Sequence, residues 1–170
     1  MNRAYIKILA AVGMAGLVLS GCSGRENNQS TPVASVGAEQ TEEKALSEIY
    51  AEIEEKVELP KMVTLNDNYI ANYFGIDLTG LDEYVFTNAE EIIYADTVIM
   101  MKAKPETDKD ALKDALDTMI EHKKAELENY LPEQFQIVEK CKVQTAGDYV
   151  YLIISDRAED IEAVIGQYIK

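Results

Sequence analysis

Residues 97–103, Thr-Val-Ile-Met-Met-Lys-Ala, decide how this chain folds. The four residues 98–101 are all apolar, and consecutive side chains of a β-strand point to opposite faces of a sheet. A strand that is apolar on both faces is typical of the centre of a sheet. We therefore predict a central strand, or one that is covered on both sides.

The residues before this strand indicate a second strand that pairs with it. Residues 84–94 are interpreted as a second strand, and Ala95-Asp96 offers a tight turn between the two. An antiparallel hairpin is the simplest arrangement of these segments.

Two helices are predicted upstream of the hairpin. Residues 44–58 repeat apolar side chains at helical spacing, and Pro60 ends that helix. A short helix over 67–74 would start at Asn66 as its N-cap and end at Gly75 in a left-handed conformation. Its expected buried face consists of Tyr69, Ile70, Tyr73 and Phe74.

A long helix is predicted downstream, with Thr107 as its N-cap and Pro132 stopping it after about six turns. Its apolar stripe is Leu112, Leu116, Met119, Ile120, Leu127, Tyr130 and Leu131.

A second strand pair and a last helix complete the prediction. Residues 135–144 alternate apolar and polar side chains, residues 149–154 form a central strand, and 146–148 supply the turn between them. The last helix begins at Ser155 or Asp156, and Asp156 with Glu159 can form a pair that resembles a capping box.

The predicted order is therefore α-α-β-β-α-β-β-α. Strand pairs joined by short turns argue against a Rossmann-type sheet, in which single strands alternate with helices. The expected fold class is α+β: a two-layer sandwich with a mostly antiparallel sheet of about four strands and helices on one face.

The N-terminal segment indicates a lipid anchor. Leu19-Ser20-Gly21-Cys22 has the form of a bacterial lipobox, in which Cys22 takes a diacylglyceryl group and the chain is cut before it. The preceding residues carry Arg3 and Lys7 and then an apolar run of about 12 residues, too short to span a bilayer but suited to a signal peptide. We expect a lipoprotein on the extracytoplasmic face of a bacterial cell membrane.

The segments divide the chain into three parts. Residues 1–21 are the expected signal peptide, residues 22–43 the lipidated cysteine and a flexible tether, and residues 44–170 a single α+β domain. The tether is polar, without an apolar period that could build a core.

The charge balance restricts the partners. After removal of the signal peptide, 14 basic residues face 31 acidic ones. Such a chain is repelled by nucleic acid phosphates, so no nucleic-acid partner is expected. Lipidation of Cys22 would supply contact with the bilayer, and cations, basic proteins and neutral ligands remain as possible partners.

Several stretches resemble a known family: residues 49–53, the Tyr-Phe-Gly-Ile-Asp of 73–77, the Leu-Pro-Glu-Gln of 131–134 and the Gly-Asp-Tyr-Val of 147–150. Together with the lipobox and tether, they are similar to small bacterial lipoproteins of domain-of-unknown-function family 4358. The resemblance covers most of residues 45–170. It implies no known activity, cofactor or catalytic residue.

The sequence offers few candidate catalytic or metal-binding residues. His122 and Cys141 could in principle form a nucleophile and base, but a surface histidine and a core thiol are favoured. One histidine and one free cysteine do not make a zinc site. Asn66-Asp67-Asn68 and the 77–82 segment offer oxygens for calcium, yet helix capping and turn formation explain them better. No catalytic residue, cofactor or metal is predicted.

The leading hypothesis is a non-enzymatic interaction or accessory module of the cell envelope. The alternatives are a small solute-binding lipoprotein and an envelope enzyme that uses paired carboxylates. Among the ten tyrosines, Tyr73, Tyr84 and Tyr94 have the least settled positions and could line a binding site.

Overall fold

A computed structural model describes residues 43–170. Its five strands are β1 (Met62–Thr64), β2 (Leu81–Ala89), β3 (Thr97–Ala103), β4 (Gln144–Ala146) and β5 (Tyr149–Ile154). They form one sheet in the order β1-β2-β3-β5-β4, in which every neighbouring pair is antiparallel. The α+β class and the antiparallel sheet are confirmed, and the sheet has one strand more than expected.

The helices are α1 (Leu46–Lys56), α2 (Asp67–Tyr69), α3 (Lys109–Leu127), α4 (Pro132–Lys140) and α5 (Ala158–Ile165). A π-helical segment, Ile70–Phe74, directly continues α2, and a 3₁₀ turn, Leu78–Gly80, precedes β2. No helix within residues 43–170 combines the length and the apolar character needed to cross a membrane.

Strand β3 lies at the centre of the sheet, as its apolar run predicts. Ile99 pairs with Phe86 of β2 on one side and with Leu152 of β5 on the other, and all three side chains are buried. The neighbouring Val98 and Met100 point to the opposite face and are buried as well. The strand therefore contributes to two cores, one on each face of the sheet.

Helices cover both faces, which corrects the expected two-layer sandwich with helices on one face. The first core contains α3, α4 and the π-helical segment against Ile99, Met101 and Leu152. The second contains α1 and α5 against Val98 and Met100. Because β3 and β5 are apolar on both faces, the sheet needs a helical layer on each side to remove those side chains from water.

The segment 135–144 is the largest local error of the prediction. Residues 132–140 form helix α4, and only 144–146 pair with β5. Phe135 and Val138 are three residues apart and pack into the first core, a helical spacing that coexists with the alternating pattern. Pro132 occupies the start of α4, where its missing N–H costs nothing, rather than serving only as the stop of α3.

The boundaries of α3 also differ from the prediction. Asp108 is its N-cap and accepts hydrogen bonds from the backbone of Asp110 and Ala111, whereas Thr107 donates its hydroxyl to Gly80 O at 2.6 Å. The helix ends at Leu127, so Tyr130 lies beyond the buried stripe and is 74% exposed. The stripe residues from Leu112 to Leu127 are buried as expected.

The remaining caps follow the sequence in part. Asn66 Oδ1 accepts from Tyr69 N at 2.9 Å, and Gly75 has a φ of 69°, as predicted. Helix α5 begins later than expected, after Arg157, and Asp156 does not cap it through its side chain. Ser155 Oγ instead accepts from Arg157 N and donates to Asp96 Oδ1 at 2.6 Å, which ties the end of β5 to the start of β3.

Candidate functional site

A cleft lies beside the first core, between the π-helical segment, the β2–β3 connection and α3. Its volume is about 270 Å³, and its walls are mainly aromatic and aliphatic. We call it the tyrosine cleft. The wall residues that matter below are Tyr69, Tyr73, Phe74, Tyr94, Met119 and Leu127.

Helix α2, through Tyr69, and the π-helical segment that continues it supply the aromatic wall. The rings of Tyr69 and Tyr73 stack with centroids 5.0 Å apart and an interplanar angle of 16°, and Phe74 meets Tyr73 edge-on at 5.3 Å. Prediction placed both tyrosines on a buried face, but they are 41% and 51% exposed, while Ile70 is buried. A π-helical turn holds more residues than an α-helical turn, so it changes which side chains face the core; such turns are frequent at functional sites.

The β2–β3 connection, residues 90–96, forms the opposite wall. Its tip exposes Ile92 (85%), and Ile93 and Tyr94 are exposed as well. The connection is fixed by hydrogen bonds, since Ala95 N donates to Gln134 Oε1 at 2.8 Å. Apolar side chains are thus held in water on an anchored segment, which is a marker of an interaction surface.

Lys123 of α3 lies at the base of the cleft. Its Nζ donates to Ala95 O at 2.8 Å and to Thr97 Oγ1 at 2.5 Å, so the ammonium turns towards the sheet and leaves the aliphatic stem along the cleft. Burial lowers the pKa of Lys123 to about 8, against the opposing effect of the acidic groups of Asp96 and Glu126.

Asn88 of β2 also lines the cleft. Its Oδ1 is buried and has no hydrogen-bond partner among the described residues. An unpaired buried acceptor is costly, on the order of 1–3 kcal/mol, and such groups are uncommon in native structures. A ligand with an N–H or O–H could bond this oxygen only where its binding exposed the atom.

Acidic residues surround the apolar surface. Glu90 and Glu91 immediately precede Ile92 and are exposed, and Glu126 lines the cleft itself. The charge of Glu126 reaches Tyr73, whose pKa is raised by desolvation first and by Glu126 next. We call Glu90, Glu91 and Glu126 the acidic rim.

The two residues tested as a nucleophile and base do not form a relay. His122 and Cys141 both line a hollow on the other side of α3, and His122 also lines the tyrosine cleft. The Cys141 thiol donates to Val138 O at 2.9 Å, and burial raises its pKa to about 11. A thiol held in its protonated form is a poor nucleophile, so the half-buried Cys141 serves packing.

The oxygen-rich segments have local structural roles. Asn66 caps α2, and Asp77 Oδ1 accepts from the backbone and the hydroxyl of Thr79, as capping and turn formation predict. No group of three or more His, Cys, Asp or Glu side chains suited to a metal ion occurs within residues 43–170.

Asp96 is the buried carboxyl group near the cleft. Burial raises its pKa, and its Oδ1 accepts from Ser155 Oγ. The nearby charge of Asp156 raises this pKa further, so Asp96 has both a hydroxyl partner and a neighbouring carboxyl group.

Sequence reasoning found part of the cleft and missed the rest. Tyr73 and Tyr94, left unsettled by the sequence, both line it, and Tyr84 instead bonds Asp67 Oδ1 at 3.0 Å. The sequence singles out neither Lys123 nor Asn88. The position of Lys123 one residue from the apolar stripe was an available signal for the lysine, whereas nothing in the sequence marks Asn88.

The fold and the cleft define a class: an α+β domain with a central antiparallel sheet, helices on both faces and an aromatic surface cleft. A family model described as "domain of unknown function (DUF4358)" matches residues 55–155. The chain belongs to this family. Comparisons with curated proteins and with solved structures found no match. Cys22, the predicted lipidation site, lies outside the residues that the structure describes.

Proposed function

We propose that this protein is a membrane-anchored lipoprotein on the extracytoplasmic face of a bacterial cell membrane, and that its domain is a non-enzymatic module that binds another envelope protein. The lipobox 19–22 supports the anchor. The exposed aromatic and aliphatic surface of the tyrosine cleft supports the binding role, and it is the observation that carries the proposal.

The physical reason is the cost of exposing these side chains. Tyr73, Ile92 and Tyr94 contact water although the domain has two cores that could receive apolar groups. Tyrosine is enriched at protein interfaces because its ring buries area while its hydroxyl keeps a polar contact. The hydrogen bonds of the β2–β3 connection hold the surface ready, which reduces the entropy lost on binding.

Crosslinking in native membranes tests the binding role. The full-length protein is compared with Tyr73→Ser, which removes a half-exposed cleft wall, and with Tyr130→Ser, which removes a more exposed tyrosine that does not line the cleft. We expect one crosslinked partner with the wild type and Tyr130→Ser, and its loss with Tyr73→Ser. Crosslinks that are the same in all three proteins would contradict the proposal.

Metabolic labelling with a fatty acid tests the anchor. Cys22→Ala removes the only sulfur that the lipobox offers, so we expect an unlabelled and uncleaved chain. Cys141→Ala is the matched control, and it should be labelled like the wild type. Label retained by Cys22→Ala would show that the anchor assignment is wrong.

The cleft also gives support to the second candidate, a small solute-binding lipoprotein. Its volume of about 270 Å³ falls just below the common range for small-molecule sites, roughly 300–1,000 Å³. A docked side chain fits this size more readily than an enclosed solute. Native mass spectrometry of the purified protein decides between them, because a retained small molecule that Tyr73→Ser releases would favour the solute.

A further inference from the structure

The tyrosine cleft carries information about the chemistry of its occupant. We propose that it docks a short basic segment of a protein, in which one large aromatic side chain enters the cleft and flanking lysine or arginine residues meet the acidic rim. This inference rests on the proposed binding role and specifies the partner.

Charge selects a basic segment. Within the acidic rim, Glu90 is paired with Lys61. The carboxylates without an ion-pair partner among the described residues are Glu91, beside the exposed Ile92, and Glu126 in the cleft wall. The basic residues that line the cleft are Lys123 and His122, and the Lys123 ammonium is turned towards the sheet by its bonds to Ala95 O and Thr97 Oγ1. An approaching cation therefore meets carboxylates first, and the overall excess of acidic residues steers it to the surface.

The walls select an aromatic anchor. The Tyr69–Tyr73 stack presents ring faces and edges, and Met119 and Leu127 provide an apolar base. A cleft of about 270 Å³ accommodates one large side chain rather than a whole helix. Interfaces concentrate their binding energy in such single buried anchors, most often tryptophan, tyrosine or arginine.

The unpaired oxygen of Asn88 refines the choice of anchor. The oxygen is buried in this structure, so an anchor can bond it only where binding uncovers it. Tryptophan has an indole N–H and tyrosine has a hydroxyl, and either donor would give Asn88 Oδ1 the partner that it lacks. Phenylalanine offers no donor. A tryptophan or tyrosine anchor is therefore expected to bind more tightly than a phenylalanine anchor.

Fluorescence anisotropy with the full-length protein in detergent tests the inference. The probes are labelled peptides Lys-Lys-Ser-Trp-Ser-Lys-Lys, the same peptide with glutamate in place of every lysine, and the lysine peptide with serine in place of tryptophan. We expect binding of the first, at least about tenfold weaker binding of the other two, and about tenfold weakening of the first at about 0.5 M salt.

Matched variants distinguish the effect of the acidic rim on peptide binding from the effect of the protein's overall negative charge. The double variant Glu91→Gln and Glu126→Gln should weaken binding of the lysine peptide several-fold. The control is the double variant Glu55→Gln and Glu58→Gln, which should leave that binding unchanged. Glu55 is an exposed residue of α1 and Glu58 an exposed residue just after it, and α1 covers the other face of the sheet. Circular dichroism confirms that all variants fold.

The outcomes distinguish this inference from the proposed function. Equal binding of the lysine and glutamate peptides overturns the basic partner, and so does cleft-dependent binding of a neutral oligosaccharide without peptide binding. Both results would leave the cleft as a docking site. Peptide binding that Tyr73→Ser does not weaken overturns the inference and removes the support that the cleft gives to the proposed function.

Discussion

Replacing Lys123 with methionine should make the protein more stable at neutral pH, although the substitution removes two hydrogen bonds. Burial lowers the pKa of Lys123 from 10.5 to about 8. That difference corresponds to about 3 kcal/mol of free energy by which the folded state disfavours the charged amine. Methionine has a similar shape without the charge, so the variant avoids this cost.

The lost hydrogen bonds offset part of the gain. Ala95 O keeps a second donor, because Thr97 Oγ1 also donates to it at 3.0 Å, and no donor loses its acceptor in the variant. Two hydrogen bonds with a net contribution of about 1 kcal/mol each offset about 2 kcal/mol, which leaves an expected stabilisation of about 1 kcal/mol at pH 7.

The difference in stability between the wild type and Lys123→Met should change with pH in a definite direction. The pKa is lowered in the folded state, so the cost is fully present below about pH 8 and disappears as pH rises to 10.5, where the unfolded lysine also loses its proton. The free energy of unfolding of the wild type should therefore rise relative to Lys123→Met over this window. The groups that face Lys123 are Asp96, Glu126 and Cys141, and they are the same in both proteins.

Urea unfolding at a series of pH values from 6 to about 10.5 measures the difference. Lys124→Met is the control, since its ammonium pairs with Glu121 at the surface and its loss should change stability by less than about 0.5 kcal/mol. A Lys123→Met variant that is less stable than the wild type at pH 7, by the same amount at every pH, would refute the reasoning.

Three further predictions concern other parts of the domain. The Glu52 carboxylate accepts hydrogen bonds from Lys44 and Lys56, which lower its pKa to about 2, so its contribution to stability is lost as pH falls from about 4.5 to 2. Glu52→Gln should therefore weaken the pH dependence of the free energy of unfolding in this range, as measured by guanidinium unfolding. An unchanged pH dependence would contradict this. Leu116→Ala should cost about 2–5 kcal/mol in urea unfolding because the side chain is fully buried in the first core; a cost below about 1 kcal/mol would mean that the core repacks. With a pKa of about 11, Cys141 should react with iodoacetamide at neutral pH roughly 100-fold more slowly in the folded than in the denatured chain, as followed by peptide mass spectrometry; equal rates would show that the thiol is not protected.

The sequence predicts the centre of the fold well because that is where local pattern and tertiary environment agree. The apolar run of β3 and the stripe of α3 have periods that admit one interpretation each. Residues 135–140 carry a pattern that fits a short strand and a helix equally, and the packing of Val138 against the first core selects the helix. Strand β1 has three residues, too few to show a period, so the sequence does not predict it.

The second helical layer could not be inferred from any one segment. Helix α1 has an apolar face that predicts burial, but not which face of the sheet it covers. The sequence likewise predicts only part of the cleft. The sequence places Tyr69 and Tyr73 on a predicted buried face and leaves the positions of Tyr73 and Tyr94 least settled, whereas Lys123 and Asn88 matter through neighbours that are distant in sequence. Such residues become visible once the sheet register is known.

The two ends of the sheet have a consequence for the behaviour of the protein at high concentration. Edge strands β1 and β4 have only three residues each, and Pro60 and the Lys61–Glu90 ion pair lie next to β1. A short edge beside a proline and charges gives little backbone to which another chain can add a strand. Molecules crowded on a surface should therefore resist aggregation through their sheets, even where their aromatic clefts remain uncovered.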